Sequence, residues 1–273
     1  MNIWTQRSIE LANQHDYLDQ LFKIYPLSAN EKRDLSRDVV EELKMLLQNR
    51  DSKGLINLLL DQVKGQGDEK YPFPIKYSYV SYLKNDRSAI ERNPKTVERI
   101  ASYLYEMGLA GILEKTSAPK ETNRQMGQLF KNYIDQATLG LKVTKDEMSF
   151  LNSEEDIIFN CSDSQGEDFA KRVLGYQRDK GLDFIAKVKE TYIIGETKFL
   201  TDFGGHQNAQ LNDAIDTLTS SIQSTSFHVK KIAILDGVCY IKSGSKMYKE
   251  ITSFSDDTVV LSATLLREFL GSL

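Results

Sequence analysis

The sequence predicts a mixed α/β protein with a helical N-terminal region, and three observations carry that prediction. Through residue 134 the apolar side chains recur mostly at helical spacing. The stretch 181–198, GLDFIAKVKETYIIGETK, instead alternates with the period of two that a pleated strand imposes on its faces. Short apolar runs at 231–235 and 258–261 then lead to a terminal helical pattern at 262–270. Together they divide the chain into a helical region, 1–134, and an α/β core, 135–273.

Taken in order, residues 1–70 read as helices. Ser28-Ala29-Asn30-Glu31 has capping-box spacing, followed by Val39, Val40, Leu43, Leu46 and Leu47 on one helical face. Residues 51–54 end that helix and 55–64 begin a shorter one, before breaks at Gly65-Gln66-Gly67 and Tyr71-Pro72-Phe73-Pro74. Asn93-Pro94 starts a helix over 96–107 that Gly108 stops. A loop at 116–120 precedes a helix over 122–134. Farther on, 157–159 is apolar, 162–166 reads as a loop, and a helix over 167–175 leads to the hairpin, with Ser164 and Glu167 at capping-box spacing. After Gly204-Gly205 a helix runs to about residue 224. Strands follow at 231–235, 238–241 and 258–261.

Within 181–198, a two-residue turn at Lys189-Glu190 pairs Val188 with Thr191 and so sets Asp183 opposite Glu196. Directly opposed residues share a face, with Cβ atoms about 5 Å apart, and like charges there destabilise a sheet. A divalent cation between the carboxylates removes that cost, and Mg²⁺ suits them because it takes hard oxygen ligands while keeping waters or phosphate oxygens. Lys198 adds an ammonium on the same face. The bland alternative is a solvated polar face with a surface ion pair. Ile185 and Ile194 on that face argue for burial instead, where unpaired charge is expensive.

Asp183 followed by Glu196-Thr197-Lys198 resembles the P-D…(D/E)-x-K signature of the metal-dependent nuclease superfamily that holds most type II restriction endonucleases. Leu182 stands where that family has proline. The tripeptide alone also occurs as Glu42-Leu43-Lys44, Asp51-Ser52-Lys53 and Asp68-Glu69-Lys70, but only Glu196 lies in an apolar strand downstream of a strand-borne Asp. Residues 118–131 and 200–210 are similar to stretches of restriction endonucleases as well. The resemblance implies a restriction-endonuclease-like core, Asp183 and Glu196 as carboxylate ligands of Mg²⁺, the Thr197 carbonyl as a further ligand, and Lys198 as the catalytic lysine activating a water. It also implies a further acid from the preceding helix, for which Glu167 is the candidate unless it serves only as a cap.

DNA contacts are expected in two places. In 71–134, Arg92, Lys95, Lys120, Asn123 and Arg124 supply groups that phosphates and base edges accept, although scattered bases and tyrosines equally suit a solvated or packed helix. Near Gly204-Gly205, Gln207 and Gln210 can face DNA from a helix start, whereas His206 reads as a polar turn residue. The net charge of −4 disfavours a nucleic-acid partner only globally, since local potential steers DNA. No apolar run reaches bilayer length and the first residues lack a signal-peptide pattern, so a cytoplasmic protein without membrane attachment is expected. Cys161 and Cys239 fit no zinc spacing, and no organic cofactor is implied.

These readings converge on a Mg²⁺-dependent type II restriction endonuclease that cuts double-stranded DNA to leave 5′-phosphate and 3′-hydroxyl ends. The resemblance further implies a homodimer, whose two-fold axis matches a palindromic site. A structure-specific repair or recombination nuclease shares the chemistry. A non-catalytic DNA-binding regulator would instead use the hairpin as structure alone.

Overall fold

The computed structural model describes residues 1–14, 16–26, 34–64, 71–118, 122–223 and 225–273, with only the backbone described at 64 and 122–124. Its chain divides into two compact units, Met1–Leu27 with Thr122–Leu273, and Ser28–Glu121. The division therefore falls at 27/28 and 121/122 rather than at 134. The first helices and the helix after 121 bury their apolar faces in the same core as the sheet.

In the sheet unit, α1 (Ile3–Ala12) and α2 (Tyr17–Ile24) come first, and Asn2 caps α1 by accepting from the Trp4 amide. The helical unit holds α3 (Arg37–Gln48), α4 (Ser52–Lys64), α5 (Ser78–Asn85), α6 (Ala89–Arg92) and α7 (Pro94–Thr116). Ser36 caps α3, and the expected capping box at 28–31 lies outside the described residues. Asp51 starts a helix rather than ending one, because its Oδ1 accepts from the Gly54 amide in the first turn of α4. Pro94 occupies the first turn of α7, and Gly108, at φ 67°, interrupts that helix where the sequence predicts a stop. Leu43, Leu55, Leu59, Ile100 and Leu104 form the centre of this unit's own core.

The sheet unit resumes with α8 (Thr122–Asp135), β1 (Lys142–Thr144), α9 (Glu147–Leu151), β2 (Ile157–Phe159) and α10 (Asp163–Leu174). The capping box of α10 is Ser162 with Gln165, two residues before the predicted pair, so the expected loop at 162–166 is its first turn. Then come β3 (Phe184–Val188), β4 (Thr191–Leu200), α11 (Gly205–Thr219), β5 (His228–Gly237), α12 (Lys246–Ser253), β6 (Val259–Leu261) and α13 (Leu266–Gly271). Residues Val238–Tyr240 form a 3₁₀ turn where a strand is expected.

Among the described residues six strands lie in the order β1 to β6. The β3–β4 hairpin is antiparallel, and β4 pairs parallel with β5 along ten residues. Alternation divides the hairpin between two cores: Phe184, Ala186, Val188 and Ile193 enter one, and Ile185, Tyr192 and Ile194 the other. Burial on both sides makes the register expensive to change, since a slip of one residue would exchange the faces.

Candidate active site on the central hairpin

The hairpin has the register that the sequence predicts. Val188 opposes Thr191, and the pairing continues to Phe184 opposite Gly195. The turn is made by Lys189 at φ 50°, whose amide donates to Asp156 Oδ1 at 2.7 Å. Asp183 lies one residue before β3, just past the last pair of the ladder, and its amide donates to the Gly195 carbonyl at 3.2 Å. Gly195 is required by space as well as by pairing: a Cβ there would meet Ile232 Cγ1 at 2.8 Å and the Ile232 carbonyl oxygen at 2.9 Å. Close approach of β5 thus fixes the strand immediately before Glu196.

Glu196 is 1 % exposed. Its Oε1 accepts from Lys198 Nζ and lies 3.4 Å from Lys180 Nζ, while its Oε2 is buried without a partner among the described residues. Asp183 Oδ2 accepts from the Thr197 amide at 2.9 Å, which ties the two carboxylate-bearing strands together across the pair. Burial raises both carboxyls. For Glu196 the Asp183 charge adds to burial, and the two lysines only partly offset them. For Asp183 the Lys198 ammonium and the Thr197 amide oppose the rise. A buried pair of acids with one orphan carboxylate oxygen is a hard, negative donor set, and it fits Mg²⁺, which needs only one or two carboxylates beside water or phosphate. Among the described residues no cluster of three or more His, Cys, Asp or Glu is arranged to hold a metal.

One cation, Lys180, and one acid, Asp213, that the motif does not include complete the site. Asp213, on α11, accepts from Arg178 Nη2 at 2.8 Å and lies 3.0 Å from Lys180 Nζ and 3.5 Å from Lys198 Nζ. Partial burial would raise its carboxyl, but hydrogen bonds from Lys180 and Arg178 outweigh that and hold it below the ordinary range. Neither Asp213 nor Lys180 has a sequence signal, because the motif counts residues along the hairpin and these come from the flanking segments.

The other expected residues fall as follows. Glu167 pairs with Lys171 at 2.6 Å, one helical turn on. The α10 acid whose charge reaches Asp183 is Asp163. Gln207 is corrected from a DNA-facing residue to a buried one: it is 3 % exposed, and its Oε1 accepts from the Thr201 amide at 3.2 Å, holding the turn after β4. Gln210 is half-buried, with its amide near His206 on the exposed start of α11. In the helical unit Lys95 is exposed, and Arg92 is exposed but paired with Asp86 at 2.6 Å. Lys120 and the side chains of Asn123 and Arg124 lie outside the described residues. Both cysteines are free. No helix among the described residues is long and apolar enough to cross a membrane.

A family model described as Tsp45I type II restriction enzyme matches residues 2–273. No curated protein and no solved structure matches the chain.

Proposed function

The chain belongs to the Tsp45I type II restriction enzyme family, a family of site-specific deoxyribonucleases acting on double-stranded DNA, and from that premise we propose that Asp183, Glu196 and Lys198 are its catalytic centre. The observation that carries the proposal is the unpartnered Oε2 of Glu196, buried beside a second carboxylate. Asp183, Glu196 and the Thr197 carbonyl would hold Mg²⁺. When bound, the cation supplies charge stabilisation at the phosphate and lowers the pKa of a water.

The chain's own groups do the rest. Thr197, through its amide, orients Asp183. Lys198 sits close enough to Glu196 to place an ammonium beside the attacked phosphate, where it orients the water and offsets developing negative charge. Burial of Glu196 keeps these interactions in a medium of low polarity, in which they are stronger than in water. Hydrolysis in this geometry leaves 5′-phosphate and 3′-hydroxyl ends. A homodimer would place one such centre at each strand of a two-fold symmetric site, with exposed Lys95 and half-buried Gln210 as the candidates to meet DNA.

The test is digestion of unmethylated phage DNA with Mg²⁺, beside Lys198→Ala and EDTA controls. Discrete fragments from the wild type alone are expected. Fragmentation that persists in Lys198→Ala or in EDTA would overturn the assignment. Intact linear DNA together with cleaved junctions or flaps would turn it toward a repair nuclease.

A further inference from the structure

Asp213 stands outside the signature yet touches every cation of the site. Glu196, Lys198, Asp213 and Lys180 form a ring of alternating charge. Both lysines reach Glu196 Oε1 on one side, and on the other they approach Asp213 Oδ2 at 3.0 Å for Lys180 and 3.5 Å for Lys198. Lys198 is largely buried, with its side chain 17 % exposed, so it cannot simply turn outward to water. A divalent cation at Glu196 competes with both ammoniums for the same carboxylate and repels them. They then need another acceptor within reach, and Asp213 is already in place.

On the nuclease reading above, we propose that Asp213 is the positioning residue of this site: it holds Lys198 and Lys180 beside the carboxylates and keeps them there once a divalent cation takes Glu196. Lys180 thereby becomes a second ammonium at the phosphate. The competing explanation is that Asp213 serves only to anchor Arg178, whose Nη1 also donates to Thr217 Oγ1 at 2.6 Å and to the Asp213 carbonyl at 2.9 Å, tethering α11 to the segment before β3. The two explanations separate experimentally because Arg178 can be removed while Asp213 is kept.

The experiment uses the full chain as wild type, Asp213→Asn, Asp213→Glu, Lys180→Met and Arg178→Met. It measures Ca²⁺ binding by calorimetry, kcat and KM for DNA cleavage with Mg²⁺, and the thermal midpoint. Loss of an orienting partner next to a metal ligand typically lowers metal affinity or activity by about 10- to 100-fold, and Asp213→Asn is expected to lose both in that range while KM for DNA moves little. Asp213→Glu restores part of each. Arg178→Met lowers the thermal midpoint but leaves Ca²⁺ binding and kcat near wild type. Lys180→Met, which spares the tether, tightens Ca²⁺ binding because one competing ammonium is gone, so the question stays decidable if Asp213→Asn does not fold. Wild-type Ca²⁺ affinity in Asp213→Asn, equal losses in Arg178→Met, or unchanged Ca²⁺ binding in Lys180→Met would overturn the proposal. A wild type that binds Ca²⁺ but cuts no DNA overturns the nuclease reading alone, and one that binds no Ca²⁺ overturns both.

Discussion

Glu196 on β4 and Asp236 on the neighbouring β5 are both buried carboxylates, 1 % and 0 % exposed, yet their surroundings differ in one respect. Asp236 is saturated. Its oxygens accept from Tyr25 Oη at 2.9 Å, Ser262 Oγ at 2.5 Å and the Ala263 amide at 3.3 Å, all neutral donors. Glu196 is met by two lysines on one oxygen and, among the described residues, by no hydrogen-bond partner on the other. A buried acid whose acceptors are filled by neutral groups ties elements together, here α2 and the turn after β6 to the end of β5. One that keeps an oxygen open beside a second acid is, on the function proposed above, a place for a cation. Burial alone therefore does not mark a functional acid.

The strongest way to break this comparison is to exchange the two roles. Glu196→Gln should abolish DNA cleavage, by about 10³-fold or more, since the cation's contribution is worth several kcal/mol. Its thermal midpoint should hold or rise, because a buried charge is gone. A plasmid-nicking time course and a melting scan on the same preparation read both. Asp236→Ala should do the reverse, costing about 3 kcal/mol in urea unfolding as buried donors lose their acceptor, with cleavage at low temperature largely retained.

A pH titration sharpens the contrast. Burial, only partly offset by hydrogen bonds from Ser262 and Tyr25, pushes the Asp236 carboxyl up to about 7. Its folded-state pKa lies above the unfolded value, so the folded state binds the proton more tightly. The stabilisation is complete below about pH 4 and is lost as the pH rises toward 7, with a limiting slope of about 1.4 kcal/mol per pH unit. The stability of the wild type relative to Asp236→Asn should therefore fall between pH 5 and pH 7. A difference that stays flat or grows would show that Asp236 is ionised in the fold throughout.

The smallest expected effect concerns Gln207. Removing its amide with Gln207→Ala frees one backbone donor at Thr201 and should cost about 1 kcal/mol of stability. DNA affinity measured with Ca²⁺ by fluorescence anisotropy should stay within error of the wild type. A large loss of affinity with unchanged stability would return Gln207 to the DNA surface.

The hairpin was legible in the sequence because its information is local. Period-two alternation and a two-residue turn fix the register as far as Phe184 opposite Gly195, and Asp183 and Glu196 are the next residues on the two segments. The order of α10, β3, β4, α11 and β5 was legible for the same reason. What could not be read depends on contacts between distant segments. Asp213 reaches the site from α11 only through tertiary packing, Lys180 stands just outside the counted signature, and Gln207 looks like a surface residue until the turn after β4 packs on it. The α10 cap was misplaced by two residues because Ser162 with Gln165 and Ser164 with Glu167 satisfy the same spacing, and packing selects between them. Likewise α1, α2 and α8 read as part of a helical region, although their apolar faces complete the core of the sheet unit.

The central claim is that the open oxygen of Glu196, with Asp183, is a cation site. Anomalous diffraction from crystals soaked in Mn²⁺, which prefers the same oxygen ligands as Mg²⁺, tests it directly. The account predicts a peak bridging Asp183 and Glu196, with Lys198 drawn off Glu196 toward Asp213, and no peak in Glu196→Gln. A peak elsewhere, or none at this pair in a wild type that cuts DNA, would contradict it.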